Sequence, residues 1–260
     1  MHRKPENIDW SKLALESEIE YSKARGGCSK QYTDFIHIYN SAVPFAGDFN
    51  RTVAVNADNI QTFNKIVAKI EALHKERNLD RPNRYDIKPP NLDEVEWNKL
   101  LKDTPFRLAT NIFFQSESSH LKLLSNFEAY IPSKEEYAEW YENHEKATDY
   151  YDKVIFEKLQ PLQLKFIETF KPYWLKKAGT MVGWVYGANF GEYLRLFEVE
   201  IKNEYRGQGF GRILLNMIRS EAAKSGCRSV LLQTGERLRP FYEKSGFMEC
   251  ARISVIWLKQ

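Results

Sequence analysis

Cysteine is scarce in this chain: Cys28, Cys227 and Cys250 are the three in 260 residues. They are too few for a disulfide framework and too far apart in sequence for a CxxC metal or redox motif, so buried packing is their expected role. No apolar run approaches the roughly 18 residues that a membrane-crossing helix needs. The start, Met1-His2-Arg3-Lys4-Pro5, is followed by polar residues rather than the apolar stretch of a secretory leader. A soluble, cytoplasmic protein with no membrane partner is the expectation. An excess of one charge is missing too, because 38 basic residues stand against 35 acidic ones for a net +3. That balance gives no reason to expect a nucleic-acid partner. The histidines, His2, His37, His74, His120 and His144, fall in no metal-ligand spacing, and no metal is expected.

What is present is enough apolar residue, 43% of the chain, to bury a core, and enough length for two domains. Trp10 to Glu20 reads as helix, stopped by Gly26-Gly27, and Phe35 to Tyr39 as a short strand or a buried helical turn. Thr52-Val-Ala-Val is strand-like, and Ile60, Phe63, Ile66, Val67, Ile70 and Leu73 recur at helical spacing. A strand at Tyr85 to Lys88, a helix at Glu94 to Leu101 and an alternating strand at Ala109 to Gln115 follow. The polar stretch Gln115 to Ser119 sets the expected boundary near 118, giving domains at 1–118 and 119–260.

Beyond the boundary, a strand at Asn126 to Ile131 precedes Ser133-Lys-Glu-Glu136, which has capping-box spacing. The helix after it carries a stripe of Tyr137, Trp140, Tyr141, Ala147, Tyr150, Tyr151, Val154 and Ile155, and Pro161 is expected to break the pattern before a second helix through Phe170. The stripe is read mainly as core. Three strands then form an antiparallel meander: Tyr173 to Lys177, Thr180 to Gly187 and Tyr193 to Lys202, with turns at Gly179 and Gly187 to Gly191. A helix from Arg212 to Gly226, a strand Ser229 to Thr234, a helix Leu238 to Lys244 and a strand Arg252 to Leu258 complete the chain.

The third strand of the meander runs into Glu204-Tyr-Arg-Gly-Gln-Gly-Phe-Gly211. A strand ending in a glycine-rich turn that opens a helix directs several backbone amides at one point, with the positive end of the helix dipole behind them. Such a turn binds phosphate. The dinucleotide fingerprint fails, since Arg212 and Leu214 stand where it needs other residues, and the P-loop ending Gly-Lys-Ser/Thr is missing. The pattern that fits is R-x-x-G-x-G over Arg206, Gly207, Gln208, Gly209, Phe210 and Gly211.

With this loop, its preceding strand Val199-Glu200-Ile201, its following helix and Phe241-Tyr242-Glu243-Lys244-Ser245-Gly246-Phe247, the chain resembles the GNAT superfamily of N-acetyltransferases. The resemblance implies an α+β class: a C-terminal GNAT fold of mixed, mainly antiparallel sheet flanked by helices, plus a smaller N-terminal α+β domain. It implies acetyl-CoA as cosubstrate, its pyrophosphate held by Arg206 to Arg212 and its pantetheine by the main chain of Val199, Glu200 and Ile201. Tyr242 matches the family's frequent general acid. An amine nucleophile also needs a base to take its proton, and Glu192, Glu198 and Glu200 are the nearby candidates, with Glu198 and Glu200 sharing one face if the strand is regular. Two positions depart from the family: Gln233 where many members carry a glutamate, and Gly235 where an asparagine is frequent.

The order from Thr52 to Gln115 is what a degenerate second copy of the GNAT C-terminal part would give, with Asn56-Ala57-Asp58 in place of the phosphate loop. An unrelated small α+β domain is the alternative. The first functional expectation is an acyltransferase moving acetyl from acetyl-CoA to a primary amine of a small molecule or peptide, as a monomer or a homodimer. A coenzyme A-binding pseudoenzyme or sensor is the second, separated from the first by turnover with an amine panel. An aminoacyl transferase is the third, and acetyl-CoA binding would argue against it.

Overall fold

The computed structural model describes residues 8–89, 92–120, 126–148 and 153–259. In chain order the elements are α1 (Trp10–Gly26), β1 (Cys28–Gln31), β2 (Ile36–Tyr39), β3 (Arg51–Val55), α2 (Ile60–Glu76), β4 (Arg84–Ile87), α3 (Glu94–Leu101) and β5 (Phe106–Glu117). There follow β6 (Phe127–Tyr130), α4 (Lys134–Thr148), α5 (Lys153–Thr169), β7 (Lys171–Lys177), β8 (Thr180–Phe190), β9 (Tyr193–Ile201), α6 (Phe210–Lys224), β10 (Ser229–Thr234), α7 (Arg239–Lys244) and β11 (Met248–Leu258). This is a mixed sheet flanked by helices, the α+β class expected. The chain packs as two compact units, Met1–Ile112 with Cys250–Gln260, and Phe113–Glu249.

In the first unit the strand order is β1-β2-β3-β4-β11-β5. Strands β3 and β4 are parallel, as a right-handed helical crossover requires, and β11 joins β4 antiparallel through Ile256 opposite Tyr85. Helix α2 begins where Asn59 accepts a hydrogen bond from the Thr62 amide at 2.8 Å. Its buried face, Phe63, Ile66, Val67 and Ile70, closes the core with Tyr85, Trp97 and Phe106. Phe63 meets these three rings edge to face with centroids 5.5, 5.8 and 5.3 Å away. Beneath α1 lies a buried charge network: Arg51 reaches Asp86 at 2.5 Å and Glu18 at 3.3 Å, and Arg84 reaches Asp86 at 2.7 Å. Burial alone would raise the Asp86 carboxyl, but Arg84 and Arg51 hold it below the usual carboxylate range.

In the second unit the order is β5-β10-β9-β8-β7-β6. Strands β7, β8 and β9 form the antiparallel meander, and β10 lies parallel to β9. The apolar face of α6, including Leu214, Leu215, Met217 and Ile218, is buried on β8, β9 and β10. Helices α4 and α5 are tied to β8 by a buried polar group in which the Tyr137 and Tyr186 hydroxyls lie 2.7 Å apart and Gln163 donates to Tyr137 at 2.8 Å. Burying those hydroxyls without such partners would cost roughly 1–3 kcal/mol each.

Several expectations change. Phe35 to Tyr39 is a strand rather than a helical turn, because Ile36 to Gln31 and Tyr39 to Cys28 pair in a hairpin that the short period did not reveal. Pro161 lies inside α5, so it does not separate two helices. The turn expected at Gly187 to Gly191 falls later, at Gly191 and Glu192, since β8 stays paired with β9 out to Phe190. Cys227 is buried, but Cys28 is exposed and Cys250 half-buried, so packing describes only the first. Tyr150 and Tyr151 of the aromatic stripe lie outside the described residues. Cys250–Gln260 groups with the first unit, whereas the reading from sequence placed all of 119–260 together. Among the described residues no helix is long and apolar enough to cross a membrane, and no group of three His, Cys, Asp or Glu side chains is placed to hold a metal ion.

Candidate active site

A cleft of about 800 Å³ opens where β9 ends and α6 begins. Its existence follows from how β9 is paired. The strand pairs with β8 from Tyr193 to Ile201 with one register shift, but its pairing with β10 covers only Tyr193 to Leu196. Past Leu196 a β-bulge intervenes, with Glu198 in the left-handed region at φ 52°. The bulge puts an extra residue opposite Val185 and turns the strand away from its parallel neighbour. Val199, Glu200 and Ile201 then line the cleft as consecutive residues, which a regular strand would forbid.

The loop beyond the strand is fixed by its own contacts. Arg206 donates from Nε to the Ile201 carbonyl at 2.9 Å and pairs with the Glu200 carboxylate, while Gln208 donates to the Glu204 carbonyl at 2.9 Å. Gly207 and Gly209 have φ of 75° and 84°, a region that side chains other than glycine's rarely enter. A Cβ on either would meet no atom within 4 Å, so the space above them is open. Gly211 serves differently: a Cβ there would lie 2.9 Å from Phe241, so glycine lets α7 approach α6. Helix α6 starts at Gly209 with no side-chain cap. The Arg212 amide donates to the Gly209 carbonyl at 3.1 Å, which leaves the first two amides, of Phe210 and Gly211, at the positive end of the dipole beside the cleft. Arg206, Arg212 and Arg237 stand around this opening. The chemistry is that of a site for a phosphate-bearing ligand.

At the other end of the cleft is Tyr242, buried among Phe114, Phe241 and Phe247. Burial and then the Glu200 carboxylate push its hydroxyl up to about 12, against the opposing pull of Arg195. The phenol is therefore protonated at neutral pH and available as a donor. Arg195, itself fully buried, lies over the Phe197 ring at 4.1 Å and donates to Gln233 Oε1 at 3.2 Å. Gln233 thus belongs to the support of an arginine and not to proton removal.

Of the residues singled out in the sequence, the cleft brings together Val199, Glu200, Ile201, Arg206, Gly207, Gly209, Phe210, Gly211, Arg212 and Tyr242. Gln208 is occupied within the loop, and Glu198 is exposed at the bulge rather than on the cleft wall, so the two glutamates do not share one face. Glu192 pairs with Arg228 at 3.0 Å, at the far end of β9, and is no candidate base. Sequence reasoning missed Tyr205, Asn216, Arg237 and Phe241 as lining residues. Asn216 was legible in principle, since it follows Arg212 by four residues on the same helix face. It also passed over His144 of α4, whose ring is 5.2 Å from that of Trp184.

The acetyltransferase (GNAT) family model matches residues 131–247. A glucosamine 6-phosphate N-acetyltransferase from Trypanosoma brucei brucei is 38% identical over 50 residues, 19% of this chain and 34% of that protein. The chain thus spans about a third of the length of that curated relative. Among solved structures, a GCN5-related N-acetyltransferase from Kribbella flavida superposes with a TM-score of 0.62 at 13% identity, covering 98% of this chain and 97% of its own. A conserved protein of unknown function from Staphylococcus epidermidis ATCC 12228 gives 0.63 at 11% identity, covering 89% and 93%. At these identities the likeness is one of fold.

Proposed function

We propose, from the match of residues 131–247 to the acetyltransferase (GNAT) family, that this chain moves an acetyl group from acetyl-CoA to a primary amine of a small molecule or peptide. The observation that carries the reading is the uncapped start of α6 at Gly209, open above Gly207 and Gly209 and continuous with a cleft that reaches a buried tyrosine. In this reading the pyrophosphate takes the first-turn amides of α6, with Arg206 and Arg212 beside it. The pantetheine lies along Val199 to Ile201, a stretch that β10 no longer pairs, although the Ile201 carbonyl is already taken by Arg206. The amine attacks the thioester carbonyl directly, backbone N–H groups stabilise the oxyanion, and Tyr242 protonates the departing thiolate. Glu200, on the cleft wall, is the carboxylate best placed to receive the amine proton.

A second reading, a coenzyme A-binding pseudoenzyme, draws on the engagement of Glu200 by Arg206 and on Gln233 in place of a carboxylate. Titration calorimetry with acetyl-CoA tests what the two readings share. Wild type is expected to bind and Gly209→Glu, which places a side chain and a negative charge in the loop, to lose binding. Equal affinity in both proteins would remove the cofactor from this cleft. Acetyl-CoA-dependent acetylation across an amine panel then separates enzyme from pseudoenzyme.

A further inference from the structure

Across the second unit runs a row of side chains that no motif announces. Tyr130 of β6 is opposite Trp174 of β7, Trp174 opposite Trp184 of β8, and Trp184 opposite Glu200 of β9. Directly opposed residues on antiparallel strands project from the same face, so the row is three aromatic rings ending in the carboxylate of the cleft wall. Helix α4 covers that face. Trp140 lies 5.6 Å from Trp174 and 5.1 Å from Trp184. One turn later His144 stacks on Trp140, with centroids 5.1 Å apart and planes at 13°, and meets Trp184 edge-on at 5.2 Å. Two indoles therefore fix the imidazole at the Glu200 end of the row.

We propose that His144 is the proton-relay partner of Glu200, a positioning residue that draws the acceptor amine's proton out of the cleft. The inference rests on the acetyl-transfer reading above. As the amine nitrogen forms its bond to the thioester carbon, its proton passes to the Glu200 carboxylate and on to the neutral His144 ring. The C–S bond breaks, the thiolate takes the Tyr242 proton, and His144 later releases its proton to solvent while Tyr242 regains one. The relay gives a role to a carboxylate that is otherwise held by Arg206. Among the described residues, the charged groups that bear on His144 are Glu200 and Lys202, both close to the end of β9. Burial, aided by Lys202, holds the imidazole below its ordinary value against the pull of Glu200, so the ring is neutral at pH 7 and able to accept a proton.

The test uses the full chain, wild type, His144→Gln and Glu200→Gln. Acetyl-CoA binding is measured first by calorimetry, and its absence in wild type would sink the acetyl-transfer reading itself. Histidine side-chain NMR then follows His144 through pH without any acceptor. Its titration midpoint is expected to fall in Glu200→Gln, and an unchanged midpoint overturns the relay. With spermidine and phenethylamine as probe amines, free thiol release is followed from pH 5.5 to 9. The acid limb of wild-type kcat/KM is expected to follow the His144 midpoint. His144→Gln is expected to lose that limb and about 10²-fold in kcat at pH 7 while binding acetyl-CoA normally, in line with the worth of a general base. A variant that keeps the wild-type pH profile overturns the proposal even if its rate falls.

Discussion

The two units repeat one element order and part company at one helix start. In the first, β3, α2, β4, α3 and the start of β5 succeed one another; in the second, β9, α6, β10 and α7 do, and β11 follows, its residues from Cys250 on grouped with the first unit. In both, the first strand is parallel to the second and carries a bulge at a left-handed residue, Ala54 at φ 55° in one and Glu198 at φ 52° in the other. But α2 begins at Asn59, whose side chain satisfies an amide of its own helix and also donates to Asp58. Helix α6 begins at Gly209 with no side-chain cap, and there the third amide, of Arg212, donates to the Gly209 carbonyl instead. A side-chain cap and an anion site compete for the same donors. The first unit satisfies the third amide with a side chain and sets the Asp58 carboxylate beside the helix start; the second satisfies it with the Gly209 carbonyl and keeps the space above Gly207 and Gly209 open.

Four measurements would break or sharpen that contrast. The largest effect belongs to the first unit, where Asp86→Ala removes the nearer of the two carboxylates that Arg51 and Arg84 share and leaves them Glu18 alone, at 3.3 and 3.8 Å. A loss of about 3–5 kcal/mol is expected for breaking a buried pair, read by denaturant unfolding of the full chain; a loss below about 1 kcal/mol would show the network to be dispensable. In the second unit, Tyr242→Phe should lower kcat by about 10²-fold, roughly 2.7 kcal/mol of barrier, with little change in acetyl-CoA affinity. Unchanged kcat would release Tyr242 from the general-acid role.

The third concerns acid. His37 is buried beside His74, with centroids 4.9 Å apart, and burial, then His74 and Arg77, lower it from 6.5 to about 3. Its folded value lies below its unfolded one, so the stability it contributes is complete above pH 6.5 and fades as pH falls toward 3. His74, also lowered chiefly by burial, acts in the same sense, and the Asp80 carbonyl on its ring opposes it. At pH 5 the loss attributable to His37 is about 2 kcal/mol, and His37→Gln should flatten the dependence; an equally steep variant would assign the acid sensitivity elsewhere. The smallest effect tests the cap itself. Asn59→Ala should cost about 1 kcal/mol in thermal unfolding and leave acetyl-CoA affinity untouched, whereas a change in affinity would contradict the separation of roles.

How much of this was legible in the sequence depended on whether the chemistry was local. Gly207, Gly209 and Gly211 are required by backbone angles and close approach within a few residues, so the loop and α6 could be read directly, whereas Tyr242 entered only through the resemblance to the GNAT family. The bulge at Glu198 could not, because it exists only relative to a partner strand, and with it went the facing of the two glutamates. The row from Tyr130 to Glu200 is a property of register across four strands, invisible to a reading along one chain. His144 lacked any motif and became visible only through the indoles that hold it. Pro161 misled because its missing N–H breaks a helix only where neighbours do not compensate, and α5 carries it through.

Strands β5 and β11 each contribute residues to both units, and Cys250–Gln260 ends paired in the unit that the chain had left at Ile112. The first unit is therefore closed by the last strand of the chain. A fragment cut near residue 118 would carry β11 without β4 and β10 without β5, two bare edges inviting any other chain to complete them. The sheet of the first unit is thus completed last, by the segment farthest along the sequence, and a chain that stopped at Glu249 would leave β4 with an open edge.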